Sequence, residues 1–368
     1  MRASAVTLRV VLAVEDALQA TLVGLLGLLG RHRVTVLPFV GHGSPERVHV
    51  RARVVLGTRA LPAPEPEPVP RPRPTTWRTL RASLGRFLTV ELPRCPVAVI
   101  GPGGRTAARA DREGYIDVLV EVPGLAPGWH ELTVAATWRG HTAQAPAPVL
   151  VVDPAAPYAL VSDVDDTVIE TGVTRGLQLL RITLLTEVSD RVPLPGAAEL
   201  YRALARAGGT PVFYLSTSPW NLHDLLARFI ALRGFPRGPL LLTDWGPGRA
   251  GFLRIAAEQH KRTLIRQVLG DHPGLHVVLV GDTGQLDPEI YAAVATESPD
   301  RVRAVYVRRT AGISAARAAE VDALAARVSA AGVPMLAVDD STRIAEHAAS
   351  IGLLDPAAVA AVRAADGG

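Results

Sequence analysis

Six short apolar runs separated by helical patterns fill the chain after Pro154, and this alternation limits the fold more than any other feature. The runs are Tyr158–Ser162, Pro211–Leu215, Leu240–Thr243, Val277–Val280, Val302–Val307 and Met335–Val338. Between them, apolar residues recur at helical spacing over Gly196–Ala207, Asn221–Leu232, Glu258–Leu269, Pro288–Ala295 and Ser314–Ala331. Strand, helix, strand in repetition predicts an α/β unit: a doubly wound parallel sheet with right-handed crossovers. Such sheets build their sites at the carboxyl ends of strands, so a functional residue is expected just after a strand.

The preceding half is written differently. Short β-rich runs, Val34–Leu37, Val48–Leu56, Phe87–Leu92, Val97–Ile100, Gly114–Glu121 and His130–Val134, are punctuated by Gly and Pro, which predicts a β-sandwich-like domain. Gly41-His42-Gly43-Ser44-Pro45 lacks G-x-S-x-G spacing and reads as a turn. Ahead of these strands, residues 8–29 are rich in Leu, Val and Ala and predict an N-terminal helix. Glu15 and Asp16 interrupt that stretch, and the unbroken part is too short to span a bilayer. With no basic start or cleavage site for a secretory leader, a cytoplasmic location is expected, with peripheral membrane association as a variant. Residues 61–74 alternate Pro with Glu and then Arg, as an extended loop or linker does. The expected organisation is a helix plus β-rich domain over 1–154, an α/β domain over 155–355 and a tail over 356–368.

Composition narrows the function classes. A 48% apolar chain of 368 residues is long enough for two cores. A net charge of +4 suits an acidic partner such as phosphate or an anionic surface and is too mild to indicate nucleic acid. Cys95 is the single cysteine, which excludes an internal disulfide framework and a cysteine-based zinc cluster. The early histidines, His32, His42, His49, His130 and His141, lack metal-ligand spacing. Lys261 is the single lysine among 39 basic residues, a compact point charge where arginine is otherwise used.

Chemistry-bearing residues follow the strands. Asp163-Val164-Asp165-Asp166-Thr167 places three carboxylates in four residues, a repulsion that a divalent cation relieves. Asp163 and Asp165, two apart, suit a nucleophile and a proton-transfer group at a phosphoryl centre. A solvated acidic turn, or a helix cap by Asp166-Thr167, fits the pentapeptide equally well. Ser216 ends the next strand and can donate to a phosphoryl oxygen, while Ser218-Pro219 reads equally as helix-capping chemistry. Lys261 is expected at the start of its helix, where the dipole opposes a cation and a task in screening the acidic loop is the better account. In Gly281-Asp282-Thr283-Gly284-Gln285-Leu286-Asp287-Pro288, Asp282 can ligate a metal and Asp287 can cap the following helix.

The order of these motifs resembles the haloacid dehalogenase superfamily of phosphotransferases. Asp163-Val164-Asp165-Asp166-Thr167, Tyr214 to Trp220, His260-Lys261 and Gly281 to Tyr291 look like the actin-patch-associated phosphatidate phosphatase family, over about residues 155–340. The resemblance implies Asp163 as nucleophile, Asp165 as general acid then base, and Ser216 and Lys261 holding the phosphoryl group. It implies Mg²⁺ held by Asp163, Asp282 and the Asp165 carbonyl, with Asp287 supporting the metal. The substrate it implies is phosphatidate at a membrane surface. A soluble phosphomonoester or phosphoprotein is an alternative, as is a binding or scaffold protein whose acidic loop merely holds metal. The insertion over 168–195, with Arg175, Arg181 and Arg191 among Leu and Ile, is a candidate cap or a helix packed on the core.

Overall fold

A computed structural model describes residues 33–57, 90–164, 194–206, 209–243 and 253–367. The expected N-terminal helix, the Pro-rich segment, the 168–193 part of the insertion and Asp165 lie outside the described residues. The described chain divides into two units between Val151 and Val152.

In the first unit the strands are β1 (Arg33–Gly43), β2 (Arg47–Gly57), β3 (Val90–Glu91), β4 (Pro96–Gly101), β5 (Gly104–Arg109), β6 (Tyr115–Glu121), β7 (Gly128–Trp138) and β8 (His141–Val151). The expected pair of stacked sheets is replaced by one hydrogen-bonded sheet in the order β3-β2-β1-β8-β7-β4-β5, with β6 also on β2. All pairings are antiparallel except β1 with β8. Alternate residues of β2, Val48, Val50, Ala52, Val54 and Leu56, join Val97, Val99, Leu132, Val134 and Val149 in one core, as a period of two requires. Of the Gly41 to Pro45 stretch, Gly41–Gly43 are the end of β1 and only Ser44-Pro45 belong to the β1–β2 turn, with the Ser44 N–H donating to the Arg47 carbonyl.

Two strands escaped the sequence reading for physical reasons. β5 is small and polar, and it exists by pairing residue for residue with β4 from Pro96↔Arg109 to Gly101↔Gly104. β8 carries Pro146 and Pro148, which argue against a central strand. Only Val149–Val151 pair with β1, so both prolines sit where β8 pairs with β7 alone, as strand prolines do at an edge.

The second unit is built on β9 (Ala159–Asp163), β10 (Val212–Pro219), β11 (Leu240–Thr243), β12 (Val277–Asp282), β13 (Val302–Arg308) and β14 (Met335–Val338). All neighbours are parallel and the order is β11-β10-β9-β12-β13-β14. Each predicted apolar run became a strand because parallel strands are buried on both faces. Leu160, Tyr214, Val278, Val280 and Tyr306 share one core. The alternating Val161, Phe213, Leu215, Leu279 and Val305 are buried as deeply. The helices are α1 (Ala197–Arg206), α2 (His223–Leu232), α3 (Leu253–Asp271), α4 (Asp287–Glu297), α5 (Ala315–Ala330), α6 (Ser341–Ser350) and α7 (Pro356–Asp366). Of these, α1, α6 and α7 pack together, as do α3, α4 and α5 in series. Tyr158 joins the sheet entry to the helices: its buried hydroxyl donates to the carbonyls of Leu204 (3.0 Å) and Leu353 (2.7 Å). Burial pushes that phenol up to about 12. Among the described residues no helix is long and apolar enough to cross a membrane.

The stretch read as a tail forms α7. Asp355 caps it by accepting from the Ala357 N–H, Val362 is fully buried in the core, and Asp366 accepts from both the N–H and the hydroxyl of Thr342. A chain ending at Asp355 is therefore expected to lose about 2 kcal/mol or more of stability, from the buried valine and its neighbours. Thermal melting checks this; an unchanged midpoint would make α7 an ornament.

Candidate active site

Register alone gathers most of the predicted residues. The sheet order reverses at β9: the chain runs outward through β10 and β11, then returns to place β12 on the other side of β9, and crevices form at such reversals. Pairing of Ser162 with Val280 puts Asp163 level with Gly281, so Asp282 reaches one residue beyond it. On the other side Asp163 pairs with Leu215, and the Val164 N–H donates to the Leu215 carbonyl, which sets Ser216 at the same sheet end.

Side chains converge there. Asp163, Asp282 and Asp287 are fully buried, and one carboxylate oxygen from each lies within 4.8 Å of the others. Lys261 Nζ is 2.9 Å from Asp163 Oδ1 and also donates to Asp287 Oδ1. Burial by itself would lower the lysine pKa, but Asp163 and Asp287 raise it above its ordinary value, so the ammonium stays charged. Among the described residues three carboxylates gather with one ammonium, and an all-oxygen donor set of this kind suits a hard divalent cation such as Mg²⁺.

Two local expectations change. Lys261 lies in the third turn of α3, because the helix begins at Leu253 and not near Glu258; the dipole argument at a helix start does not apply, and the residue's place is set by its two carboxylates. Asp287 is not a helix cap. The capping position of α4 is Leu286, with no side-chain cap, while Asp287 Oδ1 takes Lys261 and Oδ2 accepts from the Asp282 N–H at 3.3 Å. Ser218 likewise caps nothing: a 3₁₀ turn over Trp220–Leu222 precedes α2, whose capping residue Leu222 makes no side-chain cap, and the Ser218 N–H donates to Ser216 Oγ at 3.0 Å.

The loop after β12 holds Asp282 from several sides. Its Oδ1 accepts from the N–H groups of Gly284 and Gln285, with the Thr310 hydroxyl 3.4 Å away. Thr283 Oγ1 accepts from the Thr310 N–H at 2.9 Å, and the Thr283 N–H donates to the Arg308 carbonyl, so the loop is tied to the end of β13. Behind Asp163, Ser162 Oγ donates to the Asp163 carbonyl at 2.6 Å and meets the buried Tyr201 hydroxyl at 2.5 Å. Sequence reasoning missed Tyr201 and Thr310. Thr310 follows a strand, so the strand-end rule would have found it; nothing in α1 marks Tyr201.

Gly281 is required by contact, not by backbone angle. A Cβ there would lie 2.5 Å from Asp287 Oδ2 and 2.6 Å from the Tyr291 ring. Gly281→Ala is expected to cost about 1–3 kcal/mol and to displace the carboxylate that holds Lys261. A native melting midpoint in that variant would contradict the tight fit.

With this geometry in place the family comparison is specific. Residues 158–309 match the family model for the catalytic domain of phosphatidate phosphatase APP1. That window contains Asp163, Ser216, Lys261, Asp282 and Asp287, and ends one residue before Thr310. Phosphatidate phosphatase APP1 of Saccharomyces cerevisiae is 28% identical over 235 residues, covering 60% of this chain and 39% of the yeast protein. An uncharacterized protein of Schizosaccharomyces pombe is 28% identical over 153 residues, covering 41% of this chain and 25% of its own. The chain thus spans about two fifths and a quarter of the lengths of these relatives. Among solved structures, a putative alpha-galactosidase/melibiase from Bacteroides fragilis aligns at TM-score 0.24 and 10% identity, over 87% of this chain and 55% of that one. That likeness is too slight to bear on fold or function.

Proposed function

We propose that the second unit is a phosphomonoester hydrolase of the haloacid dehalogenase type, with a Rossmann-like doubly wound sheet, acting on phosphatidate through an aspartyl-phosphate. The observation that carries this reading is the buried trio Asp163, Asp282 and Asp287 closed around the single lysine of the chain, inside the window that matches the phosphatidate phosphatase catalytic domain.

Asp163 supplies the nucleophile: a carboxylate oxygen attacks phosphorus as the bond to the leaving alkoxide breaks, and Asp165 gives that oxygen its proton. Asp165 then takes a proton from water, whose oxygen attacks the acyl phosphate at phosphorus, freeing phosphate and restoring Asp163. Lys261 sits against Asp163 and balances charge on the phosphoryl oxygens, and Ser216, at the same sheet end, donates to one of them. Asp163 and Asp282, with the Asp165 carbonyl, would hold Mg²⁺. Asp287 supports them from behind, through Lys261 and the Asp282 N–H. When bound, Mg²⁺ reduces repulsion between the attacking carboxylate and an anionic substrate.

Phosphate release from phosphatidate in mixed micelles and from an aryl phosphate, each with Mg²⁺ and with chelator, tests the reading. Mg²⁺-dependent turnover of both supports it. Turnover of the aryl phosphate alone keeps the chemistry and moves the substrate to a soluble phosphomonoester. Folded protein inactive on both would favour a binding or scaffold role.

A further inference from the structure

One end of the β-rich unit gathers arginines, two of them in a strained backbone conformation. Pairing of Pro96 with Arg109 and of Val97 with Ala136 brings the entry to β4, the exit of β5 and the tip of the β7–β8 hairpin to the same end, and Cys95 Sγ lies 3.5 Å from the Thr137 carbonyl. Arg94, Arg109, Arg112, Trp138 and Arg139 collect there. Arg94, Arg109 and Arg139 are exposed and form no salt bridge with a described residue. Asp111 and Glu113 occupy the adjoining turn, where the Asp111 carboxylate accepts the N–H groups of Glu113 and Tyr115.

Two of these arginines sit where arginine is unfavourable. Arg94 has φ 54° and Arg139 φ 47°, the two non-glycine residues with positive φ among those described. In the two-residue turn Arg139-Gly140, both residues lie in the left-handed region that Asn-Gly or Gly-Gly fills with less strain. Strained conformations that the surroundings maintain are a signature of function. The Arg139 guanidinium lies over the Trp138 ring, 4.7 Å from its centroid, and the indole packs partly against the β-core, so cation and aromatic ring stand together at the tip.

We propose that this end of the β-rich unit docks on the surface of an anionic bilayer, with Trp138 and Arg139 at headgroup level. Charge complementarity supplies the attraction and the half-buried indole suits an interface that is apolar on one side and wet on the other. Two described connections at this end, Arg139-Gly140 and Ala110–Gly114, are short and carry arginine at or beside the turn. The choice of a bilayer as the anionic partner rests on the phosphatidate reading.

The test is sedimentation of the full chain with vesicles of phosphatidylcholine alone or mixed with phosphatidylserine, comparing native protein, the double variant Arg94→Gly/Arg139→Gly and the control Arg105→Gly at the other end of β5. Binding should require phosphatidylserine. The double variant should bind about twenty-five-fold more weakly, about five-fold per arginine, while Arg105→Gly binds like the native chain. Glycine suits both positions, so the double variant should melt no lower than the native protein. Hydrolysis of a soluble aryl phosphate, followed in the same samples, should be unchanged. It also reports failure of the phosphatase reading separately from failure of docking. Equal binding to neutral vesicles, equal binding by the double variant, or capture of duplex DNA in preference to vesicles would overturn the proposal.

Discussion

Exchanging Asp163 for Asn is expected to lower phosphate release by about 10⁴-fold or more, as loss of a nucleophile does in enzymes that work through a covalent intermediate. The same change should leave the metal-free melting temperature level or raised. Among the described residues Asp163, Asp282 and Asp287 are buried with one ammonium, so the amide removes one of three mutually repelling carboxylates, and Lys261 keeps Asp287 as its partner. Activity and stability thus move apart. Titration with Mg²⁺ during thermal melting should show less stabilisation than in the native chain, because one proposed ligand is gone. A variant that turns over at native rate would remove Asp163 from the mechanism; one that merely unfolds would mean that the carboxylate serves packing.

Lys261→Met has the opposite signature. Methionine fills a similar volume, but Asp163 and Asp287 then lose the ammonium that touches both of them. Breaking a buried ion pair by removing one partner costs about 3–5 kcal/mol, so the melting temperature should fall steeply and activity with it. Mg²⁺ should recover more stability in this variant than in the native protein, since it restores positive charge that the lysine no longer supplies. Midpoints compared with Mg²⁺ and with chelator check both statements. A native midpoint in chelator would show that the lysine neutralises nothing of consequence.

How far the sequence could be read depended on whether a residue's role was local. The six strands of the second unit were legible because parallel strands buried on both faces are written as continuous apolar runs, and the site residues followed because they sit at strand ends. Strand order was not legible: that β12 lies beside β9 is a tertiary fact, and it is what brings Asp282 next to Asp163. Roles set by distant contacts were misread. Asp287 has the spacing of a cap, yet its carboxylate is engaged by Lys261 and the Asp282 N–H, and α4 starts without a side-chain cap. Lys261 was placed near a helix start because α3 extends back to Leu253 through residues of weak pattern. In the β-rich unit, β5 has no strand signature and β8 contains two prolines; neighbours made both into strands. The helix α7, alanine-rich and close to the end of the chain, carried too little apolar pattern to separate it from a tail, yet Val362 belongs to the core.

The central claim is a covalent bond between Asp163 and phosphorus. Acid quench of the native protein during turnover of an aryl phosphate with Mg²⁺, then borohydride reduction and peptide mass spectrometry, tests it most directly. An acyl phosphate at Asp163 is reduced to the alcohol, so homoserine should appear at position 163 in turnover samples and be missing from samples quenched with chelator present. Brisk turnover with Asp163 unmodified at every quench time would contradict the account and assign the attack to water.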